Sequence, residues 1–195
     1  MEFTKIQLTK QNTLNVTYKN ADGDVIDFKG ANIVHKDLKD AMNALIPHLA
    51  LITEQREAYG RTLKQVQGDR ITDEGTDSVF KRFTCDTISL GNGEREVSIS
   101  GQRILMKTGI VNLSTPRIDL ESEDDYDWHN DLALDLDAVK YEAKAYIEEK
   151  KWGVKEASIE FKDIDPFNGV QADEVPTVED EQPKPKKRGR KPKAA

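Results

Sequence analysis

The plainest chemistry in this 195-residue chain lies in ten residues near its end. Residues 184–193 carry seven bases, Lys184, Lys186, Lys187, Arg188, Arg190, Lys191 and Lys193, with Gly189 between the two arginines. Cations at this density displace the counterions of phosphate, a sequence-independent pull on nucleic acid that weakens with salt. The same run also reads as a solubilising tail or, in a eukaryotic protein, as a nuclear localisation signal. A second cluster has the opposite sign. Asp119, Glu121, Glu123, Asp124, Asp125, Asp127, Asp131, Asp135 and Asp137 fall within 19 residues, with no Lys or Arg among them. The alternation Asp125, Asp127, His129, Asp131 invites a cation. A calcium loop, however, needs an oxygen ligand where His129 stands, a turn glycine, and a bidentate acid where Leu136 stands. The expectation is a solvated patch with no metal, some of its acids favoured by the positive end of a helix. Asp124, Asp125 and Asp127 are its candidates for capturing a protein partner or the chain's own basic tail.

No nucleophile, base and orienting group can be assembled from the remaining residues, so no catalytic residue is assigned and a non-enzymatic protein is expected. His35 and His129 stand at predicted helix starts, where capping or packing suits them, and His48 belongs to no triad or zinc motif. Cys85 is the single cysteine. It alternates with Phe83 as on one strand face, which suits a small buried hydrophobe. Gly91-Asn92-Gly93 lacks the Gly-Lys-Ser/Thr ending of a phosphate loop. No cofactor is implied.

Arg188-Gly189-Arg190 resembles the core of an AT-hook, a motif whose Arg-Gly-Arg lies along the floor of a narrow A·T minor groove. In the AT-hook, proline follows the second arginine directly; here Lys191 intervenes before Pro192. The resemblance implies DNA contact by Lys184, Lys186, Lys187, Arg188, Gly189, Arg190, Lys191 and Lys193.

Charge is divided along the chain. The formal net is -7, yet residues 1–170 hold 22 bases and 31 acids, a net of -9. This argues against a histone-like protein that coats DNA with its whole surface. No apolar run approaches the roughly 18–20 residues of a membrane span, and one cysteine excludes a disulfide scaffold. No signal-peptide pattern opens the sequence. The expected compartment is the cytoplasm, on a nucleoid or in a phage-infected host, or the nucleus in a eukaryote.

The elements that must position these groups follow from period and turn chemistry. Ile6 and Leu8, then Leu14, Val16 and Tyr18, then Ile26 and Phe28 alternate as three strands, with Gln11-Asn12 and Asp22-Gly23 as turns. Leu38, Ala41, Met42, Leu45, Leu49 and Ile52 trace a helix over about 36–58, with a bend or restart at Ile46-Pro47. Residues 60–78 are polar and read as a connector. A second set runs from Phe83 to Leu120, with turns at Gly91-Asn92-Gly93 and Lys107-Thr108-Gly109 and a bulge expected at Gly101. A helix stripe from Leu132 to Ile147 follows, ended by Trp152-Gly153, and a strand at Ala157, Ile159 and Phe161. From residue 163 the chain is rich in proline and poor in aliphatics, which predicts disorder. The fold class is α+β: two antiparallel sheet-plus-helix units, residues 1–59 and 79–162, joined by 60–78 and followed by a tail, 163–195. His35-Lys36-Asp37-Leu38 and His129-Asn130-Asp131-Leu132 share an offset of 94, as do Val16 and Ile110, the pattern an internal duplication would leave.

This order of elements resembles the single-strand-binding folds of the Whirly, PUR and positive-cofactor coactivator families. Those proteins present sheets to single-stranded nucleic acid through duplicated or dimerised halves. The resemblance implies a sheet face to which Lys81, Arg82, Arg103 and Lys107 contribute, and a homodimer as one arrangement. Tyr18, Phe28, Phe83 and Tyr126 would either stack bases there or pack in the core. The small acidic body with a Lys/Pro tail also looks like an accessory protein of a bacteriophage. The leading expectation is a nucleic-acid-associated protein, binding single-stranded DNA or DNA without sequence preference. The alternative is a protein-interaction module, an inhibitor, scaffold or accessory subunit acting through the acidic face.

Overall fold

A computed structural model describes residues 1–71 and 79–153. The first meander is β1 (Glu2–Leu8), β2 (Thr13–Lys19) and β3 (Val25–Ile33), turning at Asn12 and Gly23, both at positive φ. Helices α1 (Lys36–Ala44), α2 (Ile46–Ile52) and α3 (Leu63–Ile71) follow. A 3-10 turn, Val79–Arg82, leads into β4 (Phe83–Gly91), β5 (Glu96–Leu105), β6 (Gly109–Ser114), the two-residue β7 (Ile118–Asp119) and α4 (His129–Glu148). The class is α+β.

The two meanders join edge to edge. Strand order is β3-β2-β1-β4-β5-β6, with β7 also on β5, all antiparallel. The seam is short: β1 meets β4 through Lys5–Ser89, Ile6–Ile88 and Gln7–Thr87. Because opposed residues share a face, this register sorts the sheet into rows. Phe28, Val16, Ile6, Ile88 and Ile99 form an apolar row, four of them buried. On the other face Lys29, Asn15, Gln7, Thr87, Ser100 and Ser114 form a polar row crossing all six strands, flanked by Asp27, Thr17, Lys5, Ser89 and Ser98. The period-two alternation thus supplies one face for the helices and one for solvent. Both halves feed one core, in which Leu14, Leu38, Met42 and Leu49 meet Ile88, Ile99, Leu132 and Leu136.

Several boundaries depart from the sequence reading. The restart expected at Ile46-Pro47 is present, with Pro47 in the first turn of α2, where its missing N–H costs nothing, but α2 ends at Ile52, short of the expected 58. The stretch read as a connector carries α3, whose described buried side chains are Leu63 and Val66, too few to print a stripe. Helix α4 ends at Glu148, and Trp152 instead bridges Val34 beyond β3. The irregularity expected at Gly101 falls across from it: the register slips between Cys85 and Thr87 of β4, and a Cβ on Gly101 would collide with the Thr84 carbonyl. Val16 and Ile110 are not counterparts, for Val16 is buried on β2 and Ile110 exposed on β6. The strand expected at 157–161 and the tail at 163–195 lie outside the described residues.

Candidate functional site

The acidic segment is built on β7 and the loop into α4. Arg95, at the β4–β5 turn, forks onto Asp119, Nε to Oδ1 at 3.0 Å and Nη2 to Oδ2 at 2.9 Å, and reaches Glu121 at 3.1 Å. That guanidinium, helped by the Glu121 N–H, holds the Asp119 carboxyl below its ordinary value. Asp125 accepts the Asp119 N–H at 3.0 Å, so it shapes the loop as well as charging it. Asp124 and Asp127 are exposed, and their carboxylates make no ion pair among the described residues.

Beneath this loop lies a group that spacing alone did not reveal. His48, wholly buried on α2, places Nδ1 2.9 Å from the Tyr126 hydroxyl and Nε2 3.2 Å from Asp135 Oδ2. The bonding is self-consistent if Tyr126 donates to Nδ1 and Nε2–H donates to the carboxylate. Burial, then the charges of Asp131, Asp127 and Asp135, push the Tyr126 phenol up, so it remains a neutral donor. Carboxylate, imidazole and hydroxyl in series would serve as a proton relay in an open pocket, but a wholly buried imidazole meets no substrate. Here the series ties the acidic loop to α2 and α4. The signal in the sequence was one polar residue in the apolar run Ile46-Pro47-His48-Leu49-Ala50, with partners 78 and 87 residues away. His129 also turns inward, Nδ1 donating to the Tyr126 carbonyl at 3.2 Å. Among the described residues no cluster of His, Cys, Asp or Glu could hold a metal ion.

The basic candidates of the body are partly dispersed. Lys81 and Arg82 lie in the turn before β4, and Lys107 in the β5–β6 turn. Arg103 pairs across from Phe83, its guanidinium 5.4 Å from that ring's centre, but it is spent on Glu57 and on Gln55 at 3.0 Å. The aromatic candidates turn to the helix side. Phe83 and Tyr126 are buried, Tyr18 sets its edge against Phe3, and Phe28 against Tyr146. The two polar rows of the opposite face contain no aromatic.

No family model, curated protein or solved structure matches this chain. Its own residues therefore carry the functional argument.

Beyond the seam β1 and β4 part, leaving a cleft of about 320 Å³ lined by Leu8, Lys10, Lys39, Asp86 and Gln102, with Cys85 in its wall. Burial pushes the Cys85 thiol well above its ordinary value, the opposite of what a nucleophile needs. No helix among the described residues is long and apolar enough to cross a membrane. The basic residues 184–193 lie outside the described part of the chain.

Proposed function

We propose that this is a non-enzymatic nucleic-acid-associated protein that attaches to phosphate backbones through residues 184–193 rather than through its sheet. The observation that carries the reading is the division of charge. In the folded body Arg61, Arg95, Arg103, Arg117, Lys140 and Lys151 each face a carboxylate at salt-bridge distance. The seven bases near the end of the chain stand in sequence with no acid among them. A single-strand platform needs cations interleaved with stacking rings, and the polar rows of the sheet carry Lys5 and Lys29 but no aromatic ring. The reading suits a cytoplasmic protein on a nucleoid or in a phage-infected host, or a nuclear one in a eukaryote.

The test is fluorescence anisotropy on single- and double-stranded DNA across a salt series, with the full chain and with Lys186, Lys187, Arg188 and Arg190 changed together to Gln. Log affinity should fall linearly with log salt, and the variant should lose roughly 0.7–0.9 of slope for each phosphate contact removed. Binding that ignores salt, or a variant that binds as the parent does, overturns the proposal.

A second reading has its own observation: the Arg95 fork and the His48–Tyr126 bond hold Asp124 and Asp127 outward on a braced loop. Such a surface suits a basic protein partner. Changing Asp124, Asp125 and Asp127 to Asn should then weaken partner capture and leave DNA affinity nearly unchanged; the reverse outcome eliminates it.

A further inference from the structure

A sheet has two edges, and natural proteins guard them against stray pairing with charge, proline, bulges or cover. Among the described residues this sheet guards one of them. Edge strand β3 carries Asp27 and Lys29. Its far end is covered by the chain leaving α4: Gly153 N–H bonds the Ile33 carbonyl at 2.8 Å, Trp152 bridges Val34, and the Tyr146 hydroxyl takes the Asn32 carbonyl. The opposite edge, β6, reads Gly-Ile-Val-Asn-Leu-Ser. It has no charge, no proline and no register slip against β5. Every other strand among the described residues carries at least one charged residue. Around this edge the apolar side chains are bare: Ile104 is 49%, Met106 79%, Ile110 62% and Val111 40% exposed.

We infer that the β6 edge receives a second copy of this chain, β6 against β6, antiparallel about a two-fold axis at Asn112. Thr115 N–H bonds the Ile99 carbonyl at 2.9 Å, so hydrogen-bonded positions alternate back along the hairpin from there. The peptide groups of Ile110, Asn112 and Ser114 consequently face outward. An axis at Asn112 sets these groups opposite one another and keeps the overlap on β6. A two-fold contact must be complementary to itself. In a chain of net charge -7, an uncharged strip is where two like-charged copies approach without repulsion. A strand added beside β6 would cover its outward backbone groups and the exposed flanks of Ile110 and Val111, apolar surface that the described chain leaves to solvent. The inference does not depend on the nucleic-acid reading.

Sedimentation of the full chain from about 1 to 100 μM tests it, since association is concentration-dependent. The expected result is a dimer that Ile110→Lys or Asn112→Pro converts to a monomer with unchanged circular dichroism. The proline removes an outward N–H and spares the bonds to β5. Val25→Lys, on the other edge, should leave the dimer intact. Asn112→Cys supplies a register readout, because the native Cys85 is buried. Opposed residues of a hydrogen-bonded pair stand about 5.5 Å apart at Cα, within disulfide reach. Mild oxidation should therefore link two Asn112→Cys copies, whereas Asn92→Cys at the β4–β5 turn should not link. A parent that stays monomeric overturns the inference, whether the edge is open or taken by residues 154–195 of the same chain. A dimer indifferent to Ile110→Lys and Asn112→Pro overturns it as well.

Discussion

Individual atoms decide two positions in this molecule. At Gly101 the approach of the Thr84 carbonyl and of Leu49 leaves no room for a methyl group. The carbonyl belongs to a paired strand and cannot swing away, so Gly101→Ala should cost about 1–3 kcal/mol. The midpoint of thermal unfolding should fall by roughly 2–4 °C for each kcal/mol. His48→Leu should cost a similar amount, about 1–3 kcal/mol, because the Tyr126 hydroxyl loses its acceptor in the interior. His48→Gln, which can still bond one of the two partners, should melt between the parent and His48→Leu. The two sites differ in how far the sequence disclosed them. A glycine amid alternating apolar residues announces an irregularity in a ladder, though not which strand carries the extra residue. A histidine in an apolar helix announces only that a partner must exist. Its partners were fixed by the packing of α2 against the loop and α4, and no local spacing records that.

Helices and strands were legible where they are amphipathic. The stripe from Leu132 to Ile147 gave α4, and the alternations gave the strands, because burial on one face imposes the period that sequence reading detects. Helix α3 escaped because it sets only Leu63 and Val66 against the core among its described side chains. How elements are tied at their ends was also hidden. Lys151, just after α4, reaches Asp37 of α1 at 2.7 Å and Glu142 at 2.8 Å, joining the start of one helix to the end of the other. The Lys151 bond is the main cause that holds the Asp37 carboxyl below its ordinary 3.8. Asp119, under Arg95, is lowered likewise. A depressed carboxyl binds its proton less readily folded than unfolded. Its stabilisation is therefore complete above about pH 4 and is lost as pH falls toward the folded value. Melting temperatures taken from pH 7 down to about pH 2.5 should decline across that window, and Asp37→Asn should flatten the decline. Lys151, raised by its bonds to Asp37 and Glu142, stays protonated throughout the range and adds no slope of its own there.

For the molecule as a whole, the repeated order of sheet then helix was readable, and the way the halves meet was not. The matched helix starts suggested one constant offset, yet β1 corresponds to β4 and β2 to β5 at a shorter one. Strand β7 and the acidic loop are interposed in the second half only, which displaces its helix. Because the row through Ile6 and Ile88 joins both meanders in one core, Ile6→Ala should cost about 2–5 kcal/mol. It should also lower a single cooperative transition, followed alike by far-ultraviolet dichroism and by tryptophan fluorescence; two separated transitions would contradict a shared core. The seam has a further meaning for the living chain. Strand β1 is made roughly 80 residues before β4, so at about 5–20 residues per second a ribosome leaves it waiting on the order of 4–16 s. Through that interval the first meander can close while its neighbour is still being polymerised. The strand that will lie in the middle of the finished sheet begins its existence as a border, open to whatever nascent chain or chaperone reaches it first.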